Sequence, residues 1–191
     1  MDDVRGTARR ALAELDGVFA GLDPGAVGRL VDELLAARRI ACTGAGREGL
    51  MIRALCMRLM HLGLDAHMVG DMTTPPVGPG DLLLASVGTG TLATAEALIG
   101  VARAGGARTL AITAQPDGPT SRAADAVLHL PAQTMANDDD VDDGGGGTSV
   151  LPMGTLFEIA ELLLFDLVAL AVRDRTGQTA AQVRARHTNL E

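Results

Sequence analysis

Arg39-Ile40-Ala41-Cys42-Thr43-Gly44-Ala45-Gly46-Arg47-Glu48-Gly49 is the stretch on which the reading of the fold turns. A short apolar run ends at a glycine, two more glycines follow, and a helical pattern continues over 47–62 before Gly63 stops it. A buried strand feeding a glycine turn and then a helix is the opening of a βαβ unit, and repetition of that unit makes a parallel sheet. The pattern repeats. Ala66–Val69, Leu82–Ser86, Thr109–Thr113 and Ala126–Leu130 read as further strands, with helices predicted over 92–104 and 119–125. Upstream, 2–21 and 24–37 read as amphipathic helices parted by Asp23-Pro24. Downstream, a long helix is predicted over 153–174 and a short one over 179–186, separated by Gly177. The expected fold is α/β: one domain with a five-stranded, flavodoxin-like parallel sheet flanked by helices. The helical pair in 1–37 belongs to the same domain as 38–191.

The 191 residues carry a formal net charge of −8, and every basic residue is arginine. Apolar residues make up 47%, enough for a sizeable core, but aromatics only 2%. An acidic chain without aromatic faces is a poor match for nucleic acid, so none is expected as a partner. The N-terminus lacks a signal-peptide pattern, and the most apolar segment, Ile159–Val172, is broken by Glu161 and Asp166, so neither secretion nor a membrane span is expected. Cys42 and Cys56 lack metal-type spacing and read as core thiols of a reducing cytoplasm. Residues 137–149, with Asp138 to Asp143 and four glycines, read as a flexible acidic linker rather than a metal site.

Two glycine turns stand at corresponding places. Gly44-Ala45-Gly46-Arg47-Glu48-Gly49 follows the first strand and Gly88-Thr89-Gly90-Thr91 the third. Each joins the carboxyl end of a strand to a helix N-terminus, where backbone N–H groups and the helix dipole favour an anion. Ser86, Thr89, Thr91 and Thr94 add hydroxyls there, Gly46 faces the same anion, and Arg47 either holds that anion or pairs with a neighbour of Glu48. Glu48 gains from the helix dipole yet repels a phosphate placed beside it, and reads either as a contact to the bound substrate or as a helix-end charge pointing to solvent. The first turn also fits a G-x-G-x-x-G dinucleotide fingerprint, with Asp71 where a ribose-binding acid would stand. Against that cofactor stand the second glycine loop and the absence of a separate substrate domain.

The segment Pro152–Glu158 places a carboxylate one turn inside the apolar long helix, and Arg186–Glu191 carries the last of four histidines. Glu158 and Glu161 share a helix face; either reads as an acid–base group or as an interface salt bridge, and Glu158, nearer the helix start, is the better candidate for a catalytic base. His187 is its candidate partner. His61, His67 and His129 read as structural, and Met51, Met57, Met60 and Met68 as core filler. The long helix is apolar nearly all round, which points to a subunit interface.

Taken together, Gly44-Ala45-Gly46-Arg47 with Gly49-Leu50, Met57–Gly63, Thr73-Thr74-Pro75, Gly80–Leu83, Gly154–Glu158, Arg186-His187 and Asn189–Glu191 resemble the sugar isomerase (SIS) domain family from about residue 30 onward. The similarity is greatest to its branch that interconverts D-arabino-hex-3-ulose 6-phosphate and fructose 6-phosphate. The resemblance implies an isomerase with a homotetrameric assembly, no metal or organic cofactor, Glu158 and His187 as catalytic residues, and the two glycine turns as the sugar-phosphate site. The chain departs from the family pattern at Glu48, where serine is usual, and at Val87 and Leu92, where the phosphate loop usually carries hydroxyls. Two other readings fit the same residues: a SIS module that binds a sugar phosphate without turnover or takes an altered substrate, and an NAD(P)-binding oxidoreductase.

Overall fold

The computed structural model describes residues 3–140 and 149–190. Five strands, β1 (Ile40–Thr43), β2 (Ala66–Met68), β3 (Leu82–Ser86), β4 (Arg108–Thr113) and β5 (Ala126–His129), form one sheet in the order β2-β1-β3-β4-β5. Every pairing is parallel. The central strands are buried along their whole length, as strands covered on both faces must be.

Helices α1 (Val4–Gly21), α2 (Ala26–Ala36), α3 (Gly46–His61) and α6 (Thr155–Thr176) cover one face around Leu30, Leu34, Ile52, Leu59, Phe157 and Phe165. Helices α4 (Ala93–Ala104) and α5 (Pro119–Ala123) cover the other around Leu83, Ala85 and Ile99. A short α7 (Ala180–Arg184), opened by a Thr179–Gln182 capping box, completes the chain. The chain leaves β1 toward one face and β3 toward the other. The switch point of this flavodoxin-type order therefore lies between their carboxyl ends, the place where open α/β sheets hold ligands.

Asp3 caps α1, so the first helix begins at Val4. The acidic stretch expected as a linker holds a short 3-10 helix over Met135–Asp140; the rest of Asp138–Asp143, with its side chains, lies outside the described residues. Both cysteines are buried and unbridged. Two of the methionines expected in the core are not there: Met57 and Met60 lie on the outward side of α3, while Met68 is buried. His129 is exposed and His61 buried. At the opposite edge of the sheet from the switch point, the fully buried Asp81 accepts two hydrogen bonds from Arg38 (3.0 and 2.9 Å) and one from the Gly78 amide (2.9 Å). Burial pushes its carboxyl up, but the Arg38 guanidinium and the Gly78 N–H outweigh it and hold the group below the usual range.

No helix among the described residues is long and apolar enough to cross a membrane. Nor do these residues contain a group of three or more His, Cys, Asp or Glu side chains placed to hold a metal ion.

Candidate active site

Both glycine turns do their expected geometric work. A Cβ at Gly49 would stand 2.7 Å from the Gly44 carbonyl oxygen, so the β1 turn closes onto the first turn of α3 only with glycine there. Gly90 has φ +71°, and a Cβ on Gly118 would lie 2.3 Å from the Gly90 carbonyl oxygen, which packs the β3 turn against the chain entering α5. Helices α3, α4 and α6 all start without a side-chain cap. Glu48 and Glu158 stand in the first turns of α3 and α6, where the helix dipole favours a carboxylate by about 0.3–1 kcal/mol. Met153, just before α6, adopts a left-handed φ of 54°, a conformation that costs a non-glycine residue free energy and sharpens the entry to the helix.

The turns bring three carboxyl groups and one guanidinium together. Arg47 Nε donates to Glu158 Oε2 at 2.5 Å; the Glu158 side chain is 13% exposed and that of Arg47 62%. Of the two readings of Arg47, anion holder or partner of a neighbouring side chain, the structure has the second: Arg47 holds the candidate base. Glu48 Oε2 accepts from the Ser86 hydroxyl (2.9 Å) and the Gly88 amide (2.8 Å). Burial raises its carboxyl above the ordinary value; Gly88 and Ser86 oppose that rise and the neighbouring Glu158 charge adds to it. Glu161, on the same face of α6 as Glu158, is fully buried, and neither carboxyl oxygen has a hydrogen-bond partner among the described residues. Burial drives its pKa well up; the nearby Ser86 hydroxyl, whose hydrogen bond goes to Glu48, opposes the rise by proximity alone, and the charges of Glu48 and Glu158 reinforce it.

The remaining candidates divide by position. Thr91 and Thr94 are exposed and Thr89 half-buried, all at the uncapped start of α4. Thr89 Oγ1 donates to the Thr91 carbonyl (3.2 Å). Ser86 is fully buried and its hydroxyl serves Glu48. Gly46 adopts φ +55° at the start of α3. Asp71, the candidate ribose acid, lies on the surface paired with Arg53 at 3.4 Å.

His187 is elsewhere. Its ring stacks on that of His61 with centroids 5.1 Å apart, and Arg186 beside it donates to the His61 carbonyl (3.0 Å) and to Gln178 (2.7 Å). His61 ends the helix that Arg47 begins, so roughly 21 Å of α3 lies between them. Within one chain, His187 and Glu158 are not neighbours.

Sequence reasoning did not find the Glu48–Ser86–Gly88 bonds. The usable signal was a serine two residues before a glycine at the end of a strand, facing a turn that carries an acid.

This arrangement defines a class. The SIS domain family matches residues 33–152, and the chain belongs to that family. Among its relatives, the chain is 36% identical over 190 residues to the 3-hexulose-6-phosphate isomerase of Mycobacterium gastri, covering 100% of this chain and 92% of that one. It is 33% identical over 187 residues to the 3-hexulose-6-phosphate isomerase of Bacillus subtilis, covering 94% and 95%. A crystal structure from Methanococcus jannaschii, of a hypothetical protein with an inferred 3-hexulose-6-phosphate isomerase function, superposes with a TM-score of 0.79 at 27% identity, covering 97% of this chain and 98% of that one.

Proposed function

We propose that this protein is a sugar-phosphate isomerase of the 6-phospho-3-hexuloisomerase type, interconverting D-arabino-hex-3-ulose 6-phosphate and fructose 6-phosphate in the cytoplasm. The observation that carries the reading is Glu158: a sheltered carboxylate in the first turn of α6, held by Arg47 at the sheet's switch point between two glycine turns. The names of the relatives support the same reaction.

Glu158 takes the proton from C2 of the 3-ketose while the carbonyl oxygen at C3 gains one, giving a 2,3-enediol. It returns its proton to C3 as the hydroxyl at C2 loses one, leaving the 2-ketose. One base serves both halves, and proton transfer alone moves the keto group, so the reading includes no cofactor. The phosphate lies at the uncapped N-terminus of α4, with Thr89, Thr91 and Thr94 around it and Gly46 bordering the cleft. Its distance from Glu158 within one chain means that His187 serves ring opening or hydroxyl proton transfer only from a neighbouring copy. Ile159, Leu162, Leu163, Leu167 and Leu170 on α6, with Met57 and Met60 on α3, present an exposed apolar face that supports such an assembly, a homotetramer in this reading. Residues 38–191 are the catalytic domain, and the helices in 1–37 complete its core.

A second reading, sugar-phosphate binding without turnover, has one observation behind it: Ser86 and Gly88 already serve Glu48. One NMR experiment separates the two. In deuterium oxide, an isomerase removes the C3 proton signal of fructose 6-phosphate. Ligand-induced thermal stabilisation with no exchange would instead establish binding alone.

A further inference from the structure

The β3 turn already holds an anion, and that anion belongs to the protein. Glu48 Oε2 takes both the Gly88 amide and the Ser86 hydroxyl, donors that a ligand's anionic group would otherwise use. The fit is close: a Cβ at Gly88 would stand 2.6 Å from Glu48 Oε1 and 2.9 Å from the Phe157 ring. The charged groups around Glu48 come from two helices. Arg47 precedes it on α3 and is committed to Glu158. From α6 come Glu158 and the fully buried, unpartnered Glu161. From β3 and its turn come only the neutral donors. Three carboxyls thus face one guanidinium, and like charges brought together out of water disfavour full ionisation.

We propose that Glu48 is a specificity-determining residue, an internal counter-anion that bars a dianionic group from the β3 turn, confines it to the start of α4, and makes its binding depend on uptake of a proton by the Glu48–Glu161 pair. The proposal rests on reading this cleft as the sugar-phosphate site. It deepens that reading by naming what the site penalises: a second full negative charge beside Ser86 and Gly88. A neutral Glu48 removes the repulsion without emptying the turn. A ligand dianion therefore binds more tightly as pH falls.

Sulfate tests this, because it stays a dianion across the working range and binds whether or not the protein turns over a sugar. By calorimetry, sulfate affinity of the wild type should rise roughly tenfold between about pH 8 and pH 5.5, the effect of one like charge removed at short range. Glu48→Gln, which keeps the shape without the charge, should bind sulfate roughly tenfold more tightly at pH 8 with a flatter pH profile. Ser86→Ala leaves the carboxylate with one donor fewer and should move the wild-type profile to higher pH, which keeps the test open if Glu48→Gln does not fold. Equal sulfate affinities and equal pH slopes in wild type and Glu48→Gln, or an unmoved profile in Ser86→Ala, overturn the proposal. Absence of deuterium exchange with every sugar phosphate would overturn the isomerase reading alone and leave the sulfate result standing.

Discussion

Arg47 and Glu158, 111 positions apart in sequence, join the N-terminal ends of α3 and α6 through a single hydrogen-bonded ion pair. The carboxylate is sheltered and the guanidinium is largely in solvent. Arg47 thus caps the cleft from outside and orients the group proposed to move the substrate's proton. Glu158→Gln should lower kcat by about 10²–10⁴-fold, the contribution of a positioned base, with little change in melting midpoint. Arg47→Gln should cost less than Glu158→Gln, because it misplaces the base without removing it. Steady-state rates with fructose 6-phosphate and thermal melts check both, and the opposite ranking would falsify the assignment of the base.

Glu161 makes stability depend on pH. Its folded pKa is raised above the ordinary 4.5 by burial, so the folded chain binds more protons than the unfolded chain once pH exceeds that value. The Glu161 contribution to stability is therefore full below 4.5 and is lost as pH climbs through the raised folded value. Glu48 acts in the same direction. Urea midpoints measured from about pH 5 to pH 8 should fall for the wild type and fall less for Glu161→Gln.

Gly88→Ala should destabilise the fold and disturb the site together. The new methyl meets Glu48 and the Phe157 ring at 2.6 and 2.9 Å, and Phe157 is fully buried. Overpacking of this kind costs about 1–3 kcal/mol. The expected result is a lower denaturation midpoint together with a raised substrate KM, whereas Gly100→Ala, in open space inside α4, should leave KM unchanged and stabilise the fold by about 0.5–1 kcal/mol of helix propensity.

The assembly can be tested by complementation. Glu158→Gln and His187→Ala should each be nearly inactive as pure preparations. Mixed after dissociation and reassembly, they should recover part of the wild-type rate, because some sites then combine an intact Glu158 with an intact His187 from a different copy. Leu163→Glu or Leu167→Glu, which charge the exposed apolar face of α6, should shift the sedimentation profile toward smaller species and lower activity in parallel.

The element order was legible because strand and helix periodicities differ and the glycines punctuate each change. β3 and the cores of α3 and α4 fall where the pattern placed them, and boundaries moved by a residue or two where a cap decided them, as Asp3 does for α1. The relations between elements were not legible. That Arg47 serves Glu158 and that Ser86 serves Glu48 depends on how turns from distant parts of the chain converge. Met57 and Met60 read as core residues yet lie outward, because a methionine on the outer side of a helix has the same sequence pattern as one facing the core. His187 was recognisable as a candidate, but its packing against His61 follows from the path of α7.

The Asp81–Arg38 latch lies at the foot of the same strand whose head carries Ser86. About 16 Å of rigid, fully covered backbone joins them. A mutational survey scored only by ligand affinity would therefore flag Asp81 as though it touched the sugar. Loosening the root of β3 shifts the turn above it, and a group that never meets substrate would acquire the signature of one that does.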